Sequence, residues 1–142
     1  MDLFDAAIAV AQRRMADLKP VYLEHFSREQ VTLVMNAVDV VVLTSTFEGS
    51  PMTVKEALAC MTPVVSVDVG DTPELLESLP ACPIVEREPT EIGAAILMSI
   101  SSERLPILRE RAESVSRIAV AARVRDLYFR CLDRAIREDS RE

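Results

Sequence analysis

With 142 residues, 49% of them apolar and 27% charged, the chain has the size and composition of one ordinary globular domain. Its net charge of −7 disfavours nucleic-acid binding, which needs a basic face. No apolar run approaches the roughly 20 residues that span a bilayer, and the N-terminus lacks the basic cluster of a secretion signal. We therefore expect a single cytoplasmic domain over residues 1–142 with no transmembrane segment.

The first half of the chain alternates helical and strand patterns. Apolar residues at three-to-four spacing predict a helix over 2–16, and the short run 21–23 after a proline predicts a strand. Ser27 is a favoured N-cap residue for a helix over 28–37. The β-branched run 39–45 predicts a strand that is buried on both faces, as in a parallel sheet.

The second half continues the alternation. A helix is predicted over 51–60, followed by a buried strand over 63–67 and a weaker strand over 82–85. Helices are predicted over 90–100 and over 104–137, the latter broken near 114–117. Strands alternating with helices indicate right-handed crossovers. We predict a Rossmann-like three-layer α/β sandwich with a mostly parallel sheet of about four strands and C-terminal helices.

The three cysteines, Cys60, Cys82 and Cys131, are odd in number and form no Cys-x-x-Cys pair. This pattern disfavours a disulfide framework and a zinc site. We expect each of them to act as a small apolar residue in a reducing compartment.

The chain opens with a helix, whereas a doubly wound domain usually opens with the strand that becomes the middle of its sheet. Either the sheet has rearranged or its first strand lies in sequence outside this chain. Loss of a central strand leaves unpaired edges, which invite pairing with another chain. We therefore expect a homodimer, an exchange of elements or a partner protein.

The segment between the strand 39–45 and the next helix is the best candidate for a binding site, because ligands bind at the carboxyl ends of parallel strands. Gly49 permits close backbone approach to a ligand, and Pro51 suits a first helical turn. The free N–H groups of Met52 and Thr53 would then point out of the helix start, where phosphate binds.

Two carboxylates, Glu48 and Glu56, flank this helix start. A carboxylate accepts hydrogen bonds from neighbouring hydroxyls, which suits a ribose or a hexose. A ligand with phosphate at the helix start and sugar hydroxyls on either side of it is a sugar nucleotide. In a simpler interpretation, Ser50 caps the helix and Glu56 is a surface residue paired with Lys55 or another base. The spacing alone favours the simpler interpretation.

Several segments in the same order resemble the retaining group 1 (family 4) glycosyltransferases, which are built from two Rossmann-like domains in the GT-B arrangement. Glu48 and Glu56, with seven residues between them, match the family's paired-glutamate motif. The segments before and after the motif, a following loop and a closing helix match as well; they are 36–45, 56–65, 69–74 and 126–128. The resemblance covers roughly residues 27–137.

The resemblance implies that the chain corresponds to the C-terminal, donor-binding domain of such an enzyme. Glu48 would be catalytic, contacting the donor hexose near the reacting carbon, and Glu56 would hydrogen-bond the ribose. The backbone from Gly49 through Ser50, Pro51 and Met52 to Thr53 would hold the hexose and the distal phosphate. The donor would be a nucleotide-diphosphate sugar, with retention of configuration and no metal or cofactor.

The chain also departs from the family's pattern. Met61 stands where the family often has glycine, and we expect a packing change there. The family's N-terminal domain, and the first strand with the basic residues that hold the diphosphate, are not in this sequence. Three hypotheses stay open: an enzyme half that works with an N-terminal half or homodimer, peripheral to the membrane through that partner; a non-catalytic nucleotide-sugar-binding module; or a truncated remnant.

Overall fold

Parallel strands flanked by helices make up the fold of residues 2–139, which are the residues that the computed structural model describes. The elements in chain order are α1 (Leu3–Gln12), α2 (Arg28–Ala37), β1 (Val41–Leu43), α3 (Met52–Ala59), β2 (Val64–Val67), α4 (Thr72–Leu76), β3 (Ile84–Val85), α5 (Pro89–Ser99), α6 (Pro106–Ser114) and α7 (Arg117–Asp139). The order confirms the predicted α/β class and the C-terminal helices.

The sheet has the order β1-β2-β3 and both pairings are parallel. In register, Val41 lies opposite Val64, and Ser66 lies opposite Ile84. Every residue of β2 is buried, so helices must cover both faces of the sheet at this strand. Helix α5 packs on β2 and also against α1, while α3 packs on β1 and β2 and also against α2 and α6. The sheet described has three strands rather than about four.

The missing fourth strand is the one predicted over residues 21–23, and that prediction is wrong. The segment is exposed and pairs with no strand in the described part of the chain. The Tyr22 hydroxyl donates a hydrogen bond to Asp5 of α1, and its ring packs edge-on against Phe4 with the centroids 5.3 Å apart. That hydrogen bond raises the pKa of the Tyr22 phenol. Side-chain contacts with α1 thus hold this segment outside the sheet.

Local signals account for the ends of several helices. Ser27 caps α2 in a capping box with Gln30, as its position before the helix predicted. The predicted break in the C-terminal helical region is also present, between α6 and α7 at Val115 and Ser116. Helix α4 was not predicted; it is five residues long, with a proline in its first turn.

Helix α7 is the longest element, with 23 residues, and packs against α6. Its apolar side chains are largely exposed; they include Ile118, Val120, Val124, Leu127, Tyr128, Phe129 and Leu132. Of the helices described between residues 2 and 139, none combines the length and hydropathy needed to cross a membrane.

The end of α3 explains the departure at Met61. Cys60 is the C-cap, and Met61 has a φ of 57°, in the left-handed region that glycine normally occupies after a helix. Its N–H donates to the Leu58 carbonyl at 2.9 Å, and the Thr62 N–H donates to the Ala57 carbonyl at 2.9 Å. We expected methionine in place of glycine to change the packing at this position. The structure shows instead that Met61 adopts a backbone conformation that is unfavourable for a residue with a Cβ.

We predict that Met61→Gly raises the free energy of unfolding by about 1 kcal/mol, because it removes the Cβ that makes a positive φ unfavourable. Urea unfolding measures this. Met61→Ala is the matched control, since it removes the same side chain but keeps the Cβ. Equal stability of the glycine and alanine variants would contradict the explanation.

The cysteines differ in exposure. Cys60 and Cys82 are buried, as expected for small apolar residues, whereas Cys131 lies exposed on α7 and departs from that expectation. Burial raises the pKa of the Cys82 thiol, although its sulfur accepts a weak hydrogen bond from the Val64 N–H at 3.4 Å. The raised pKa keeps Cys82 in its unreactive thiol form.

We predict that a disulfide reagent at pH 8 modifies one thiol of the folded protein rapidly and the other two only on unfolding, because reaction needs an accessible thiolate. Absorbance of the released thiolate, with and without guanidinium chloride, gives the counts. The Cys131→Ser variant should lose the rapid phase. A rapid phase that persists in this variant would show that a buried cysteine is reactive.

Candidate functional site

Two loops meet at the carboxyl edge of the sheet, one after β1 and one after β2. The Asp71 N–H donates a hydrogen bond to the Gly49 carbonyl at 3.1 Å. Gly70, with a φ of 58°, packs against the backbone of the loop after β1. A Cβ added to Gly70 would lie 2.5 Å from the backbone carbonyl oxygen of Gly49 and 2.9 Å from that of Glu48. The loop after β2 therefore fixes the backbone that carries Glu48.

Side chains also link the two loops. The Ser50 hydroxyl donates to the Asp71 carboxylate, and the Lys55 ammonium donates to the Ser50 hydroxyl while lying 3.9 Å from Asp71. Ser50 therefore does not cap α3, and Lys55 pairs with Asp71 rather than with Glu56. The simpler interpretation of these residues is wrong on both points.

The N-terminus of α3 lies between these groups. Pro51 is the N-cap residue and not part of the first turn, and no side chain in the described part of the chain caps the helix. The backbone N–H groups of Met52 and Thr53 have no acceptor among the described residues. Such N–H groups, together with the helix dipole, attract an anion. The 8-residue helix thus presents unpaired donors at the edge where ligands bind parallel sheets.

Glu48 and Glu56 are both half-buried. Glu48 lies in the loop after β1, and Glu56 lies one turn beyond Met52 in α3. Neither carboxylate has a hydrogen-bond or ion-pair partner within residues 2–139. Their oxygens are therefore available to accept hydrogen bonds from a ligand's hydroxyl groups.

Gly49 has open space around it, whereas Gly70 is closely packed. A Cβ added at Gly49 would meet nothing within 4 Å, and its φ is not in the left-handed region. The fold therefore tolerates a side chain at Gly49. Any requirement for glycine at this position must come from a bound molecule.

Two residues that organise this edge were not predicted from the sequence. The Arg87 guanidinium, beyond β3, donates to the carbonyls of Thr44 and Ser45 at 3.1 and 2.6 Å and so holds the end of β1. The buried Thr72 hydroxyl accepts from the Val69 N–H at 3.2 Å and shapes the loop after β2. The only sequence signal for Arg87 is its place just after a strand of the same sheet.

The family model for glycosyl transferases, group 1, matches residues 7–102, which is more than half of the chain. The chain belongs to the group 1 glycosyltransferases. The matched region of this glycosyltransferase runs from α1 through α5 and includes the loops that carry Glu48 and Gly70. No curated protein and no solved structure matches the chain.

Proposed function

We propose that this chain is the donor-binding half of a retaining glycosyltransferase and binds a nucleotide-diphosphate sugar at the N-terminus of α3. The single observation that carries the proposal is a pair of half-buried carboxylates that have no partner among the described residues and lie beside a helix start that no described side chain caps. Glu56 accepts hydrogen bonds from the ribose hydroxyls, and Glu48 accepts from the hexose near the reacting carbon. The backbone from Gly49 to Thr53 holds the hexose and the distal phosphate.

In the proposed reaction, the bond between the anomeric carbon and the diphosphate breaks, and the acceptor oxygen bonds to the same face of that carbon. Negative charge grows on the leaving diphosphate, where the N–H groups of Met52 and Thr53 stabilise it. The acceptor's proton passes to the leaving phosphate oxygen, so that charge balances. We assign no covalent nucleophile, no metal and no cofactor.

We assign the acceptor site to an N-terminal glycosyltransferase half or to a second copy of this chain. The family membership supports the binding of a sugar donor. We place the assembly in the cytoplasm, at the membrane where the partner binds it.

One observation favours a second candidate, a module that binds the donor without transferring it. Lys55 lies next to the helix start, but its ammonium is held by Ser50 and Asp71. In this arrangement the leaving diphosphate gains its stabilisation from backbone dipoles, with little help from a side-chain cation. Binding without turnover, even beside an added N-terminal half, would support the module.

Calorimetric titration with UDP-glucose and GDP-mannose tests the donor site. Glu56→Ala should weaken binding by about ten- to a hundredfold, since it removes a charged hydrogen-bond acceptor. Glu91→Ala, in the exposed first turn of α5, is the matched control and should bind as the wild type does. If the folded chain does not bind either sugar nucleotide at millimolar concentration, the proposal is overturned and the hypothesis of a truncated remnant remains.

We further predict that Gly49→Ala leaves the free energy of unfolding within about 0.5 kcal/mol of the wild type, because the new methyl group enters open space. The same methyl group should weaken donor binding about tenfold if the ligand contacts this backbone. Thermal unfolding and the same titration measure the two quantities. Unchanged donor binding would show that the ligand lies elsewhere.

A further inference from the structure

The Lys55 side chain turns back toward the start of its own helix. Lys55 is the fourth residue of α3, yet its ammonium group donates a hydrogen bond to the hydroxyl of Ser50, the residue directly before the N-cap Pro51. The ammonium therefore lies beside the helix N-terminus, where the positive end of the helix dipole disfavours a cation. Burial adds to that cost, because only 20% of the side chain is exposed. An anion is needed to compensate for this arrangement.

Asp71 supplies part of that compensation. Its carboxylate accepts a hydrogen bond from Ser50, and one of its oxygens lies 3.9 Å from the Lys55 nitrogen, which is beyond hydrogen-bond distance. Asp71 belongs to the loop after β2, and its N–H donates to the Gly49 carbonyl of the facing loop, which restrains its position. The Ser50 hydroxyl thus bridges the two charges, and the ion pair itself is loose.

Lys55 consequently keeps hydrogen-bonding capacity for another group. An ammonium has three N–H donors, and in the part of the chain that the structure describes only Ser50 accepts from one of them. The backbone N–H groups of Met52 and Thr53, at the same helix start, also lack acceptors among the described residues. Unused donors on a largely buried cation and on the backbone together favour a ligand that has several acceptor oxygens and a negative charge.

We propose that Lys55 binds the diphosphate of the nucleotide sugar, and that Asp71 positions the Lys55 ammonium and limits its attraction for that anion. The identity of the ligand rests on the proposed function. A phosphate oxygen at the start of α3 accepts from the backbone N–H groups and the ammonium together, whereas the Asp71 carboxylate repels it. Lys55 then gives the leaving diphosphate a side-chain cation, and the observation that favours a non-catalytic module loses its force.

Calorimetric titrations of the whole chain with UDP-glucose, GDP-mannose and sodium pyrophosphate, at constant ionic strength, test the assignment. Lys55→Met keeps the aliphatic stem but removes the charge, and it should weaken binding about tenfold or more. Lys55→Arg keeps the charge and should bind within about threefold of the wild type. Asp71→Asn keeps an oxygen that accepts from Ser50 but removes the repelling charge, and it should strengthen binding about threefold to tenfold.

Asp39→Asn is the matched control for Asp71→Asn. It removes the same charge from an exposed position before β1, at the edge of the sheet opposite the site, and should bind as the wild type does. Thermal unfolding first shows that each variant is folded. A pair that only joined the two loops would give weaker or unchanged binding in both Lys55→Met and Asp71→Asn, so the opposite signs expected here separate the two roles.

The outcomes also separate this inference from the proposed function. If the wild type binds a sugar nucleotide, but Lys55→Met binds it equally well or Asp71→Asn binds it no better, the inference is overturned and the donor site stands. If pyrophosphate binding shows the expected changes while neither sugar nucleotide binds, the donor site is overturned and the anion site at Lys55 stands. No binding of any of the three compounds at millimolar concentration by the folded wild type would overturn both.

Discussion

Replacing Gly70 with alanine should destabilise the protein by about 3 kcal/mol, which is a large part of the 5–15 kcal/mol typical of a domain. Two effects add. Alanine at a φ of 58° adopts a left-handed conformation that is unfavourable for a residue with a Cβ. That Cβ would also lie 2.5 Å from the Gly49 oxygen, so the backbone of one loop must move.

Urea unfolding measures the stability, and Gly49→Ala is the matched control in the facing loop, where a methyl group meets open space. Because Gly70 packs against the backbone of Glu48, donor binding by any folded Gly70→Ala protein should also fall sharply. A Gly70→Ala variant as stable as the control would show that the two loops are not in contact in solution.

Gly93→Val is expected to have an effect of similar size, about 3 kcal/mol, for a different reason. Gly93 lies in the middle of α5, where α1 crosses it. A Cβ at this position would lie 2.9 Å from the Ala7 carbonyl oxygen and 2.9 Å from a methyl group of Val10. The larger valine side chain must therefore push α1 away from α5, because the contact is with backbone and cannot be relieved by a rotamer change.

Ala94→Val is the control for this variant, since it places the same side chain on an exposed position of the same helix. It should cost no more than about 0.5 kcal/mol. Similar unfolding midpoints for the two variants would contradict the close packing of α1 on α5.

The sequence predicted the elements whose signals are local. The β-branched runs around Val42 and Val65 become parallel strands, and Ser27 caps α2, because these outcomes depend on near neighbours. The segment around Tyr22 did not follow its apolar pattern. Its position depends on a hydrogen bond to Asp5, 17 residues away, and no local pattern encodes such a contact.

In the candidate site, too, some features have a signal in the sequence and others depend on contacts between distant residues. The family motif singled out Glu48 and Glu56, and their roles stay a prediction. The start of α3 has the free backbone N–H groups that the sequence led us to expect among the described residues. The link from Ser50 to Asp71 spans 21 residues, and that from Arg87 to Ser45 spans 42. These contacts arise only once the sheet brings the loop ends together, so spacing along the chain could not reveal them.

Helix α7 gives the molecule a strongly uneven distribution of charge. The chain carries a net charge of −7, yet α7 (Arg117–Asp139) contains six arginines against three aspartates and one glutamate. The positive end of the resulting electric dipole therefore lies on the helix that packs against α6. The electric field of a negatively charged surface therefore orients the approaching molecule so that α7 faces that surface.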